Sequence, residues 1–215
     1  MITPAPRSGW GGQLDRLIGP GATRSEIALQ FIPPAIAAAA TLIHARSLPV
    51  AWSAVQLGLL AFLAFDLVGG VITNATSAAK RWFHRPGQEW QQHLGFVGMH
   101  VVHLAVVAWL FRAGDGAFFI GTSVFLLGAT ALILISPLYL QRPVALGLFS
   151  LVLLGNTYLL APTPGLEWFL PLFFLKLLVS HLLYETAYRP DERLPREEDP
   201  EPARHPMTEL KRQSR

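Results

Sequence analysis

The chain contains no cysteine. Disulfides, zinc ribbons, iron–sulfur clusters and a thiolate nucleophile are therefore excluded, and a bound metal would need His, Asp, Glu or Asn ligands. Charge is scarce as well. Asp, Glu, Lys and Arg form 14% of the 215 residues, against about 25% in an ordinary soluble domain. The charge that exists sits at the ends: 14 such residues fall between Arg189 and Arg215, and only 13 lie within 26–186. The first 25 residues lack an apolar run, so no cleavable signal peptide is expected. Met1-Ile2 offers no glycine for myristoylation, and without Cys there is no palmitate or prenyl site.

The middle of the chain is apolar. Hydrophobic residues make up 52% of the chain, in recurring runs of about 20, each long enough to cross a bilayer. The expected fold is all-α: a polytopic membrane protein, a bundle of six transmembrane helices at Glu26–His44, Pro49–Thr73, Gln92–Phe111, Ala117–Leu140, Pro143–Leu160 and Leu166–Thr186. Short Pro/Gly or polar breaks such as Arg112-Ala113-Gly114-Asp115-Gly116 make neighbours antiparallel. Pro33-Pro34 predicts a kink or late start in the first span, and Ala37-Ala38-Ala39-Ala40 suits close helix contact. The chain divides into three regions: an N-terminal segment (1–25), the membrane domain (26–186) and a Pro- and charge-rich tail (187–215) expected to be disordered.

The charge of +3 and pI near 9.6 fit the positive-inside rule better than nucleic-acid binding, which is not expected. Arg7, Arg16, Arg24, Lys80, Arg81, Arg85 and Arg142 fall on one side, and Arg46 and Arg112 on the other. Both termini are thus expected in the cytoplasm, in a multi-pass protein of the cytoplasmic (inner) membrane. Between Asn74 and Gln91, Trp82, Phe83 and Trp90 alternate with Lys80, Arg81, His84 and Arg85. That pattern reads as an amphipathic interfacial segment, with Arg81, His84 and Arg85 as candidate ligands for an anionic headgroup.

Ionisable residues inside spans are costly and are functional candidates. They are Asp66, His100, His103, Lys176, His181 and Glu185. At 100° per residue, Asp66 shares a stripe with Gly70, Thr73, Asn74 and Ser77, and His93 and His100 share a face, with His103 about 60° further round. His181 and Glu185, spaced i, i+4, are expected to stack. Lys176 lies about 140° from His181 and is not assumed to join it. On these boundaries the groups lie in the central-to-cytoplasmic half of the bilayer.

No internal repeat stands out. The Pro-Ser-Gly-His element of phosphatidic-acid-type membrane phosphatases and the H-x3-H boxes of membrane desaturases are both missing. Three readings remain. The first is a small membrane enzyme acting on a lipid or apolar substrate, with His100, His103 and His181 holding Zn, Fe or Mn and Asp66 and Glu185 as catalytic carboxylates. The second is a proton-coupled transporter using Asp66 and the histidines. The third is a scaffold or assembly subunit, alone as an oligomer or in a membrane complex, whose polar groups only join helices.

Overall fold

The computed structural model describes residues 4–188, which are helical and contain no strand. The tail expected to be disordered lies almost wholly outside these residues. The elements in order are α1 (Gly9–Ile18), α2 (Arg24–Ser47), α3 (Ala54–Ala75), α4 (Ser77–Phe83), α5 (Trp90–Met99), α6 (Val101–Leu110), α7 (Gly116–Ile135), α8 (Leu138–Tyr158) and α9 (Phe169–Phe174). A π-helical continuation, Leu175–His181, extends α9.

Helix starts are set by their capping residues. Thr23 Oγ1 accepts from Glu26 N at 3.1 Å while Thr23 N donates to Glu26 Oε2 at 2.8 Å. Ser53 and Gln56 repeat the pattern at α3, and Asp115 Oδ1 accepts from Phe118 N at α7. Each reciprocal cap satisfies donors that a helix start otherwise leaves open, worth about 1 kcal/mol. α2 starts at Arg24 with both prolines inside it, so no late start occurs. Buried Pro34 faces Gly69 of α3, where a Cβ would come within 3.4 Å of the ring. A glycine opposite a proline ring lets the two helices pack closely.

Five helices are long and apolar enough to cross a membrane: α2, α3, the stretch Trp90–Leu110 that α5 and α6 make together, α7 and α8. The sixth expected span is different. Its helix covers only Phe169–His181, reaching at most ~20 Å against a hydrocarbon core of about 30 Å. It is also the most enclosed element. Phe169, Phe173, Phe174, Leu177 and Leu178 are all buried, in one core with Leu60, Leu63 and Leu67 of α3, Leu104 of α6, and Leu126 and Ile133 of α7. Pro171 is tolerated because it falls in the first turn of α9, where its missing N–H has no partner to lose.

The N-terminal segment holds a helix that hydropathy did not reveal. α1 exposes Trp10, Leu14 and Leu17 on one side. Gly19, with φ of 90°, ends α1 against α4, and a Cβ there would lie 2.3 Å from the Ala78 carbonyl carbon. Only glycine permits both the left-handed backbone and that approach.

Candidate functional site

The site begins with Asp66 on α3. Its Oδ2 accepts from Lys176 Nζ at 2.7 Å and from His103 Nε2 at 3.1 Å. Lys176 is buried and comes from the π-helical turns. It reaches Asp66 because residue 70 is glycine: a Cβ on Gly70 would lie 2.3 Å from Lys176 Cε. A single carboxylate oxygen thus joins α3, α6 and the short central helix. Among the histidines it is His103 that bonds Asp66.

The third span is interrupted between α5 and α6, at His100. The backbone tightens there, with His100 N donating to Val97 O at 3.0 Å and His103 N donating to His100 O at 2.9 Å. In such a tight turn residues i and i+3 eclipse, and the imidazoles of His100 and His103 stack 5.1 Å apart. His100 Nδ1 lies 2.7 Å from Phe96 O. A carbonyl only accepts, so Nδ1 carries the proton and a neutral His100 presents Nε2 as an acceptor. By the same reasoning His103 donates from Nε2 to the carboxylate. That leaves its Nδ1 a bare acceptor, buried and without a partner among the described residues.

A second cluster lies toward α4. His93 Nδ1 is 3.3 Å from His181 Nε2, and His181 Nδ1 is 3.4 Å from Asn74 Oδ1. Asn74 Oδ1 accepts, which gives the chain a direction: His93 donates to His181, and His181 donates to Asn74. His84 stacks on His93 at 4.8 Å, and its Nε2 donates to the carbonyl of His181 at 3.0 Å. Lys80 Nζ donates to Ser180 O and Leu183 O at 2.7 and 2.6 Å. A helix end leaves carbonyls without partners and carries partial negative charge; α4 supplies the cations and donors that satisfy them.

Burial gives this loop its electrostatics. It holds the Lys80 ammonium down at about 8, a drop that Glu185 partly opposes. Burial, with His93 and Lys80 nearby, pushes the His84 imidazole down to about 4. Both directions reflect the cost of keeping charge in a dry setting.

Several expectations change on this geometry. Lys80 and His84 are turned toward the end of the central helix. Arg85 Nη1 donates to Trp82 O, and its guanidinium lies 3.6 Å over the Trp82 ring. Arg81 Nη1 donates to Tyr188 O at 3.2 Å. His84 caps the central helix. Glu185 does not stack on His181, because regular helix ends at His181. It pairs instead with Arg142 at 2.6 Å and stands 3.8 Å from Lys80, at the rim of the bundle.

The expected metal set is not assembled either. His103 belongs to the Asp66 pair and His181 to the His93–Asn74 chain. The Phe96 ring stands in the row at 3.9 Å from His181 and 4.6 Å from His100. Among the described residues no three His, Asp or Glu side chains are grouped to hold a metal ion. The donors do not fit Zn, Fe or Mn, which need ligands converging at about 2.0–2.2 Å.

A cavity of about 370 Å³ joins the two clusters. Asn74, at the end of the histidine chain, lines it together with Asp66, His100 and Lys176. Phe31, Phe62, Phe65, Phe83 and Phe96 supply apolar wall, and Leu17 and Ile18 of α1 contribute from the side of the N-terminal segment. Of the predicted polar stripe, Asp66, Gly70, Thr73 and Asn74 line this space from α3, whereas Ser77 lies beyond the end of that helix, at the start of α4. Sequence reasoning kept Lys176 apart from His181, and it did not single out Gln30, which is buried at the cavity wall with both amide atoms unpartnered among the described residues. A glutamine within an apolar span was the signal for it. No protein-family model, curated protein or solved structure matches the chain, and its own geometry is the ground for a functional reading.

Proposed function

We propose that this multi-pass membrane protein is a proton-coupled transporter, and that protons enter along His93 and His181, pass to water beside Asn74, and are held by His103 and Asp66. One observation carries the reading. The cavity lined by Asn74 also reaches Asp66 and His100, so the end of one hydrogen-bonded chain and the buried ion pair face a common space. Water held beside the few polar groups of this cavity can bridge groups that do not touch, which takes a proton past the Phe96 ring. His103 Nδ1 is a bare buried acceptor next to a carboxylate; a proton there would make an imidazolium paired with Asp66. Lys176 competes for the same carboxylate oxygen. His103 and Lys176 thus share one acceptor, and a change at either is felt by the other.

The basic balance supports placement in the cytoplasmic (inner) membrane with α1 and α4 on the cytoplasmic side. Reporter fusions after Arg85 and after Gly114 are expected on opposite sides; the same side for both would overturn that orientation. For transport, purified protein is reconstituted into vesicles loaded with a pH-sensitive dye and given a potassium diffusion potential. Proton entry above that of protein-free vesicles is expected. Asp66→Asn and His181→Phe should each cut the initial rate at least tenfold, with Arg142→Ala close to wild type. Rates equal to empty vesicles, or unchanged by Asp66→Asn, would end the reading.

A further inference from the structure

We infer that the cavity between α2, α3 and α5 binds a neutral, ring-bearing apolar molecule that carries a hydroxyl group, of the alkylphenol class. This names the cargo of the transporter proposed above and rests on that reading only for its coupling to protons; binding is tested separately.

Size comes first. About 370 Å³ falls within the range of small-molecule sites. The wall comes next. Phe31 and Phe65 lie together at 6.4 Å, and Phe62, Phe83 and Phe96 complete an aromatic lining. Aromatic walls favour a flat ring in offset or edge contact.

Charge excludes the ionic alternatives. Asp66 and Lys176 cancel within one ion pair. An anion would meet the carboxylate and a cation the ammonium, and neither would recover its desolvation cost in an apolar cavity.

The head group is set by the hydrogen bonds left open. Both bonds to Asp66 go to Oδ2, so Oδ1 has no partner among the described residues, and the side chain remains 29% exposed on the cavity side of α3. His100 offers a second acceptor at Nε2, because its Nδ1 proton is committed to Phe96 O. Two acceptors facing one space call for a donor. A phenolic hydroxyl donates one hydrogen bond and keeps the rest of the molecule apolar.

The probe is 4-hexylphenol, with its methyl ether as the matched molecule lacking the donor. 4-Hexylbenzoate and 4-hexylbenzylammonium serve as the anion and cation. Binding to the full chain in lipid nanodiscs is measured by equilibrium dialysis against empty nanodiscs. Saturable binding of one phenol per chain is expected, with the ether and both ions at least tenfold weaker. Thr73→Phe, which fills the cavity from α3, should abolish it. Asp66→Asn keeps an acceptor oxygen and should weaken phenol binding less than tenfold, and His100→Phe should weaken it more. A cooperative thermal unfolding transition measured without phenol shows that each variant is folded. Equal affinity for phenol and ether, or binding unchanged in folded Thr73→Phe, would overturn the inference. Phenol binding without dye-detected proton entry would leave this site standing and remove the transport reading instead.

Discussion

Helix α8 and the short central helix occupy opposite places in the same bundle. α8 is 21 residues long and apolar, yet only 11% of its apolar window is buried. The central element, Phe169–His181, falls short of a bilayer but buries nearly every large side chain it carries. Hydropathy measures how well a segment tolerates lipid; it does not measure how much of the segment other helices cover. Length alone therefore does not tell how much of a helix is covered. The piece too short to span a bilayer supplies Lys176 and His181, both buried against groups on the longer helices.

Removing Lys176 tests that contrast most severely. Lys176→Leu strands Asp66 beside His103 alone, and losing one partner of a buried pair costs about 3–5 kcal/mol. The double variant Asp66→Leu/Lys176→Leu is expected to recover most of the loss. Denaturation in detergent checks both, and equal instability of single and double variants would show that the pair does not matter.

Acid is the next lever. The folded-state value of His84, about 4, lies below its unfolded value of about 6.5. The unfolded chain therefore binds the proton more readily, and stability rises with pH across that window. The contribution is complete above about pH 6.5 and is lost as pH falls toward 4, up to about 3 kcal/mol. Thermal midpoints between pH 4 and 7 should fall on the acid side, with a shallower fall in His84→Gln. An equally steep fall in that variant would assign the acid sensitivity to other groups.

Gly70→Ala sharpens the comparison from the α3 side. The added methyl group occupies the path of the Lys176 stem, and the ion pair must shift. A loss of about 1–3 kcal/mol is expected, with proton entry into vesicles reduced together with stability. Gly58→Ala, where a Cβ meets open space, is the matched control.

The smallest effect belongs to the rim. Arg142 pairs with Glu185 on an exposed edge, its side chain 66% accessible, and Arg142→Ala should cost less than about 1 kcal/mol. A larger loss would mean that the rim pair holds Lys80 in place.

Particular residues show how much of the fold and site is legible in the sequence. Five long spans and the polar stripe on α3 came from period and spacing, because α3 is a regular helix whose 100° phase holds along its length. The same phase fails past Leu175. There Leu182 N bonds to Leu177 O, five residues back, and the wider π turns re-aim the side chains of that stretch. His181 consequently meets His93 rather than Glu185, and Lys176 meets Asp66. The role of Lys80 and His84 was hidden for another reason. Their partners are backbone carbonyls of a helix end, which leave no mark in the order of side chains.

Glu26 has a mechanical consequence. Its Oε2 belongs to the cap of α2, while its Oε1 accepts from Ala78 N in the first turn of α4 at 3.1 Å. One carboxylate thus fastens two helix starts together. At 24 residues, α2 runs to ~36 Å, past a hydrocarbon core of about 30 Å, and tilting is one way such a helix meets a change in bilayer thickness. A thinner or thicker membrane that rotates α2 pulls α4 with it through this shared carboxylate, and with α4 travel Lys80 and His84. The lipid surroundings thereby gain a lever on the buried histidines without touching them.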